Sequence, residues 1–239
     1  METIYNLHNF VDPLPAHIVN EWREHCSYTT VSDQTCIYQQ GSNANEVFQI
    51  VSGEVKLCNY SKDGKEFVVS NLKTGDCFGE LGLIDGLPRL MNTYAVGQTV
   101  LRVLSKQHFF QLYNQYPEIA KQLNLMHVRR IRLLWQYNED ATNLNLHQRV
   151  ARTILRLSHS HGQQTNDKGY SINTSHEDIG KMLCCSRQSV SKELKLLEGK
   201  GLIRVEYGKI TINDPAGLSD TYEMLMDHAQ ITPVYQPTC

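Results

Sequence analysis

Short apolar stretches alternate with polar turns from about Tyr28 to Lys106. The apolar runs include residues 47–51, 54–57 and 66–69, and the Asp63-Gly64 pair between two of these runs is typical of a hairpin turn. Short strands at even spacing, separated by glycine-containing turns, favour a β-sandwich or a barrel. This part of the chain is therefore predicted to be a β-rich domain.

The hydrophobic period changes to that of a helix between Pro117 and about Tyr137. The apolar positions are Ile119, Leu123, Met126 and Leu133, broadened by Ile131, Leu134 and Trp135. An apolar surface this wide indicates two packing partners and favours a dimerisation helix, although a helix buried in a monomer core would show the same pattern. The polar segment from Asn138 to Asn145 is predicted to be a hinge.

A further helical pattern at Leu146–Ser158 is followed by a polar loop from His159 to Gly169, and then by two short helices. Ser175, with Asp178 three residues later, predicts a capping box for the first short helix. After a tight turn at Cys184-Cys185, Ser186 is a natural cap for the second. One face of that second helix is apolar and consists of Val190, Leu194 and Leu197.

The opposite face of the second helix is polar and basic. Its candidate DNA-contacting residues are Ser186, Arg187, Gln188, Ser191, Lys192 and Lys195. Arginine donors match the O6 and N7 acceptors of guanine, glutamine can pair with adenine, and lysine or serine can hold phosphates. The segments 202–205 and 210–212 predict a β-hairpin behind this helix, so the sequence indicates a winged helix-turn-helix that binds DNA.

Charge and composition agree with this interpretation. Residues 145–214 hold 11 Lys and Arg against 7 Asp and Glu, whereas the rest of the chain holds 12 against 18, and a basic segment of this kind is typical of proteins that meet a polyanion. No apolar run approaches the roughly 18 residues of a membrane span, so a soluble cytoplasmic protein is expected. The seven cysteines lack the spacing of a zinc or iron–sulfur site, and no metal is expected.

Four segments resemble the CRP/FNR family of transcription regulators. They are Ile50–Val55 (IVSGEV), Gly75–Leu83 (GDCFGELGL), Arg149–Ala151 (RVA) and Cys185–Lys192 (CSRQSVSK). The resemblance implies an α+β protein with an N-terminal cyclic-nucleotide-binding-type β jelly roll (1–116), a dimerisation helix with hinge (117–144), a winged-helix DNA-binding domain (145–217) and a tail (218–239). It also implies a homodimer that regulates transcription from a pseudo-palindromic operator on double-stranded DNA.

The resemblance further implies an effector site in the jelly roll. Its candidate residues here are Gly79, Glu80, Leu81, Gly82, Arg89, Leu90, Leu134 and Trp135. Helix-start N–H groups and an arginine suit a cyclic phosphate, and the glutamate suits a ribose hydroxyl. However, Leu90 replaces the serine of cyclic-AMP receptors, and Leu134-Trp135 replaces their adenine-binding Thr-Ser pair.

An adenine edge left unpaired by these apolar residues would cost about 1–3 kcal/mol for each unsatisfied group. Cyclic AMP in its usual pose is therefore disfavoured, while a different ligand, no ligand, or a plain Glu80–Arg89 ion pair stay open. The cofactor is accordingly unknown.

Two other classes of function compete with a DNA-binding regulator. A cupin-type enzyme would need imidazole ligands inside the barrel, but no histidine lies between residues 26 and 107, so no enzyme is expected. A regulatory subunit acting on a protein partner would lack a winged helix. RNA polymerase is a further candidate partner through residues near 159–168, and a helix-like segment at 222–228 is expected to pack on the DNA-binding domain.

Overall fold

The computed structural model describes residues 2–5, 7–164, 169–221 and 231–234, which divide into two compact units. Unit 1 comprises residues 1–5 and 130–239, and unit 2 comprises residues 6–129. In chain order the elements are β1 (Glu2–Tyr5), α1 (Ala16–Glu24), β2 (Ser27–Val31), β3 (Cys36–Tyr38), β4 (Glu46–Tyr60), β5 (Glu66–Leu72), β6 (Cys77–Phe78), α2 (Leu81–Asp85), β7 (Asn92–Ser105), α3 (Lys106–Gln115), α4 (Pro117–Asn143), α5 (Leu146–His161), β8 (Gln163–Gln164), β9 (Tyr170–Asn173), α6 (His176–Leu183), α7 (Arg187–Gly199), β10 (Ile203–Glu206), β11 (Lys209–Ile212), α8 (Pro215–Asp220) and β12 (Ile231–Val234).

Unit 2 is built on a six-stranded antiparallel sheet, which confirms the predicted β-rich domain. The strands run in the order β2-β7-β4-β5, with β3 paired to β7 and β6 paired to β4. The two long strands β4 and β7 change register twice, and such irregularities bend a sheet into a roll. At one of these places Gly53 has φ +90°, and a Cβ there would lie 2.7 Å from the Gln98 carbonyl oxygen, so the bend requires glycine.

Helices α1 and α3 pack on the roll and were not predicted from the sequence. Trp22 of α1 makes edge contacts with Phe10 and with Phe109 of α3, at centroid separations of 5.4 and 6.3 Å. The side chain of Ser105 caps α3 by accepting a hydrogen bond from the His108 amide. Apolar residues from both helices and from the first part of α4 thus share one core with the roll.

Helix α4 begins at Pro117 as predicted but continues to Asn143, so most of the segment predicted as a hinge, 138–145, is helical. Asp140, inside that segment, forms ion pairs with Arg152 and Arg156 of α5 and is buried, which gives the polar residues a reason to stay helical. Only Leu144 and Asn145 separate α4 from α5. Asn145 caps α5 through a capping box with Gln148.

The remainder of unit 1 is the predicted winged helix with additional elements. Helix α5 ends at His161, later than expected, and the predicted loop therefore starts three residues further on. A four-stranded sheet with the order β10-β11-β9-β8 carries the predicted hairpin, and β1 pairs in parallel with β12. The helix-like segment predicted at 222–228 lies outside the described residues.

Candidate DNA interface and effector cassette

The helix-turn-helix is formed by α6 and α7, and its local structure follows from the sequence. Ser175 and Asp178 form the predicted capping box at the start of α6. Cys184 ends α6 in the left-handed conformation with φ +53°, which is unusual for a residue other than glycine. Gly180 lies where the turn passes closest to α6, since a Cβ there would be 2.8 Å from the Cys185 carbonyl oxygen.

Helix α7 presents its predicted polar face to solvent and its apolar face to the core. Ser186 caps the helix by accepting a hydrogen bond from the Ser189 amide at 3.1 Å. The side chains of Ser186, Arg187, Gln188, Lys192 and Lys195 are exposed, and that of Ser191 is half-buried. The predicted buried residues are Val190, Leu194 and Leu197, each at most 1% exposed. The six candidate DNA-contacting residues thus share one accessible surface, the reading face.

Three side-chain contacts hold the reading face in place, and sequence reasoning missed all of them. Arg149 of α5 donates to the Leu183 carbonyl at the end of α6, at 3.2 Å. His147 Nδ1 lies 3.0 Å from the Glu193 carboxylate on α7, and Glu198 accepts from the Val205 amide of the wing at 2.8 Å. Because the partners lie 7 to 46 residues apart, only the tertiary fold reveals these contacts.

The electrostatics of the reading face favour an anionic ligand. Burial, with a smaller effect from the nearby Arg187 guanidinium, lowers the pKa of His176 below its usual value of 6.5. At neutral pH the imidazole at the start of α6 is therefore uncharged, and it does not compete with Arg187 for an anion. The positive charge of the face comes from Arg187, Lys192 and Lys195, which are free to meet phosphates.

The wing, formed by β10 and β11, lies next to α7 in unit 1. Its register pairs Glu206 with Lys209, so Tyr207 and Gly208 form a two-residue turn, and Gly208 has φ +67°. The Tyr207 side chain is fully exposed at the tip. Arg204 and Lys209 on the two strands are also exposed, so the wing adds basic side chains to the same unit.

In the jelly roll of unit 2, the structure gathers part of the predicted effector site around Arg89. The guanidinium of Arg89 is buried and donates to the carbonyl oxygens of Gly79 at 2.5 Å and Glu46 at 2.7 Å. It also lies over the Tyr38 ring, 4.2 Å from the centroid. Burial lowers the pKa of Arg89 from its usual value. The arginine that would hold a cyclic phosphate is therefore engaged with main-chain carbonyls and an aromatic ring.

Glu80 is the second polar residue of this cassette and is almost fully buried. Its carboxylate lies 3.5 Å from Nε2 of His127, on the first part of α4. Gly79 and Gly82 are glycines for steric reasons, because a Cβ would come within 2.6 Å of the Arg89 Nη1 and of the Leu87 carbonyl oxygen, respectively. The His127 contact was not predicted, and nothing in the sequence spacing signalled it.

The apolar candidates do not join this cluster. Leu81 and Leu90 are exposed, the latter by 61%, and a cavity of about 260 Å³ beside α2 is lined by Gly82 but by neither Glu80 nor Arg89. Leu134 and Trp135 are 62% and 64% exposed and belong to unit 1. Gly79, Glu80 and Arg89 are therefore the candidates that the structure brings together, whereas Gly82 lines the cavity beside α2.

The described part of the chain lacks a membrane-spanning helix and a cluster of metal-ligating side chains. No helix there combines the length and the hydropathy that crossing a bilayer requires. Across the same residues, no three or more His, Cys, Asp and Glu side chains are grouped to hold a metal ion.

Comparison with known proteins matches both units. A model of the cyclic nucleotide-binding domain matches residues 29–116, and a model of the Crp-like helix-turn-helix domain matches residues 148–221. The first match covers the jelly roll with its Arg89 cassette, and the second covers α5, the helix-turn-helix and the wing.

Curated relatives and solved structures give the same result. The chain is 30% identical over 194 residues to the cAMP-activated global transcriptional regulator CRP of Escherichia coli O6:H1, covering 80% of this chain and 92% of that protein. It is 30% identical over 186 residues to the cAMP-activated global transcriptional regulator Vfr of Pseudomonas aeruginosa, covering 76% and 87%. The structure of the c-di-GMP responsive global regulator CLP of Xanthomonas campestris matches with a TM-score of 0.74 at 20% identity, covering 83% and 99%, and this likeness shows the fold.

Proposed function

Because the chain belongs to the CRP/FNR family of transcription regulators, and is therefore a DNA-binding regulator, we propose that it binds a pseudo-palindromic operator as a homodimer. The observation that carries this proposal is the reading face, which presents three basic side chains at a capped, exposed helix. The family consists of regulators, and no enzymatic activity is proposed. We place its action in the cytoplasm, with DNA as its ligand.

Within the reading face we assign base recognition to Arg187 and Gln188. They are the first two residues of α7, both are exposed, and the N-terminal residues of a recognition helix reach deepest into the major groove. An arginine fork pairs with guanine, and glutamine pairs with adenine. We expect a half-site with a fixed guanine under Arg187 and a relaxed neighbouring step. Ser186, Ser191, Lys192 and Lys195 are assigned to the phosphates.

The exposed surface of α4 supports the homodimer. Leu125, Val128, Ile131 and Trp135 follow one another at intervals of three or four residues, and all are exposed by at least 41%. Such a row of large apolar side chains on one side of a helix is the pattern of a helix that packs on a second helix. Leu134 lies beside the row and is exposed as well. A second copy of α4 is the proposed occupant, with residues 117–144 as the dimerisation segment.

We propose that the effector of this protein is not cyclic AMP in the pose of its cyclic-AMP-activated relatives. Both terminal nitrogens of Arg89 donate to main-chain carbonyls within the jelly roll, Glu80 faces His127, and Leu90 is exposed. A phosphate entering the cassette would meet a guanidinium whose Nη1 and Nη2 already bond the carbonyl oxygens of Gly79 and Glu46. The names of the relatives show that effectors vary, since CRP and Vfr are cAMP-activated and CLP is c-di-GMP responsive. A cyclic-AMP response remains the alternative.

The experiment that tests DNA reading is an operator selection followed by binding titrations at several salt concentrations. We expect Arg187→Ala to lose about 1–3 kcal/mol of preference at one guanine. Lys195→Ala should weaken binding to all sequences alike and reduce the salt slope by about one phosphate contact. The control is Lys62→Ala, an exposed lysine of unit 2, which should change neither.

Three results would contradict parts of this proposal. A selection without a preferred guanine would overturn the role of Arg187, and no binding to any DNA would favour a protein partner. Sedimentation equilibrium of Ile131→Glu should show a monomer where the wild type is a dimer, and a dimeric variant would refute the α4 interface. Contact with RNA polymerase through residues 159–168 stays a prediction, because residues 165–168 lie outside the described residues.

A further inference from the structure

Two histidines of unit 2 lie against each other. His25 is the C-cap of α1, and His108 lies in the first turn of α3. Their ring centroids are 4.9 Å apart, with an angle of 68° between the ring planes. They are 83 residues apart in the chain, with no other histidine between them, so the fold brings them together.

The two rings border a cavity of about 250 Å³, whose lining residues are His25, Ser27, Glu46, Val103, Ser105 and His108. Strand register builds its floor, because Glu46 pairs with Ser105 and Ser27 pairs with Val103. Residues directly opposite each other on neighbouring strands share a face, and so do residues two apart on one strand. The four strand side chains therefore face the same cavity, and they add one carboxylate and two hydroxyls to the two imidazoles.

Both imidazoles have an oxygen next to Nδ1. The Nδ1–H of His25 donates to the Glu21 carbonyl at 2.9 Å, and Nδ1 of His108 lies 3.3 Å from the Ser105 hydroxyl. When Nδ1–H is held by an oxygen, the lone pair of the neutral ring is on Nε2. Metal-binding histidines in proteins almost always have this arrangement, with the outer oxygen fixing tautomer and ring orientation.

We propose that this cavity binds a divalent transition-metal cation through Nε2 of His25 and Nε2 of His108, with the Glu46 carboxylate as the third ligand. Imidazole ligands suit Zn²⁺, Cu²⁺ and Ni²⁺. No three such side chains are grouped closely enough to hold an ion among the described residues, so the exposed Glu46 side chain has to change rotamer to bring its carboxylate to the ion, and water completes the shell.

The separation of the rings agrees with a shared cation. An ion held at about 2.0–2.1 Å from Nε2 lies ~3.2 Å from the ring centroid, so two imidazoles at bond angles of about 90–110° have centroids ~4.5–5.2 Å apart. The separation in the structure, 4.9 Å, falls within this interval. The centroid separation is therefore compatible with a shared cation, which would tie the end of α1 to the start of α3.

Isothermal titration calorimetry of the untagged full-length protein with Ni²⁺ tests the proposal. We expect saturable binding of one ion per chain and a rise in the melting temperature of the wild type. His25→Gln and His108→Gln should each weaken binding at least ~10-fold, because each removes a ligand. The matched control is His17→Gln, which removes an exposed histidine of α1 and should leave the affinity unchanged. With Cu²⁺, electron paramagnetic resonance should show coupling to two nitrogens, reduced to one in either variant.

Absence of saturable Ni²⁺ binding would overturn the proposal, as would binding that survives His25→Gln and His108→Gln. Folding of the variants is checked by melting without metal, where we expect them to match the wild type within a few degrees. If a variant fails that check, the nitrogen coupling of the wild-type Cu²⁺ complex decides, because a spectrum without two nitrogens rules out the imidazole pair. None of these outcomes depends on operator binding, so the tests of the metal site are independent of the tests of the proposed function.

Discussion

Replacing Asp140 with Asn keeps the shape of the side chain and removes its charge from between two buried guanidinium groups. Asp140, Arg152 and Arg156 are all more than nine-tenths buried. Arg152 Nη1 lies 2.6 Å from one carboxylate oxygen, Arg156 Nη1 contacts the other, and the Arg156 guanidinium also lies over the Tyr137 ring at 4.7 Å. One carboxylate therefore compensates two cations at the junction of α4 and α5.

Removing one partner of a buried ion pair costs about 3–5 kcal/mol, because the remaining charge is left uncompensated. Since two arginines lose their partner in Asp140→Asn, we expect a loss in unfolding free energy near the upper end, about 4–5 kcal/mol. Typical folded proteins have a total stability of about 5–15 kcal/mol, so unit 1 would lose a large share.

Asp140, Arg152 and Arg156 together contribute much less to the stability of unit 1 than this loss suggests. Burial raises the pKa of Asp140, and the charges of Arg156 and Arg152 lower it by a smaller amount. Desolvation of the carboxylate thus outweighs its attraction to the arginines, as is common for buried ion pairs. We therefore expect the triple variant Asp140→Leu, Arg152→Met, Arg156→Met to be much closer to the wild type than Asp140→Asn alone.

The assay is urea-dependent hydrogen exchange of the α5 amides, which reports the stability of unit 1 without that of unit 2. The control is Glu177→Gln, which breaks an exposed Glu177–Lys181 pair of 3.2 Å and should cost less than about 0.5 kcal/mol. A loss below about 1 kcal/mol for Asp140→Asn, or a triple variant as unstable as the single one, would refute the reasoning.

Three further predictions concern the turn of the helix-turn-helix and the effector cassette. Gly180→Ala places a Cβ 2.8 Å from a carbonyl oxygen and should destabilise unit 1 by about 1–3 kcal/mol. Gly199→Ala, which has open space around the new Cβ, should instead stabilise α7 by up to about 1 kcal/mol. Equal effects of the two substitutions in urea unfolding would contradict this prediction. Cys184→Gly should gain about 0.5–1 kcal/mol by relieving a left-handed backbone, and Cys184→Ala should gain nothing, so an equal rise in melting temperature for both would disprove the strain. Calorimetric titration with cyclic AMP should show no binding tighter than ~100 μM, and a tight, saturable response would overturn our interpretation of Arg89 and Leu90.

Features specified by neighbouring residues could be predicted from the sequence. Helices α6 and α7 were found because Ser175 and Ser186 are capping residues at their starts. Each side chain accepts a hydrogen bond from an amide three residues later, and the buried residues of each helix repeat with the helical period. The wing was found from two short strand-like segments, 202–205 and 210–212, that follow the second helix. Each of these signals lies within a few residues in the chain.

Features specified by distant residues could not be predicted. The segment after Asn138 has the polar composition of a hinge, yet it stays helical because Asp140 meets arginines 12 and 16 residues further on. The identities of Glu80 and Arg89 matched a phosphate-binding cassette, but Arg89 bonds the Glu46 carbonyl and Glu80 lies against His127, and no local pattern connects these residues. Helix α3 was missed because most of its apolar residues are aromatic and six of its ten positions are polar.

The parallel pairing of β1 with β12 makes the jelly roll an insertion within the DNA-binding unit. The chain belongs to unit 1 up to residue 5, to unit 2 from 6 to 129, and to unit 1 again from residue 130. A fragment cut at residue 130 would retain Ile231–Val234 but lose Glu2–Tyr5, the partner strand. Its open edge could then pair with other chains. A circular permutation that joins residues 2–5 to the rest of unit 1 through a linker is therefore the natural way to isolate the DNA-binding unit.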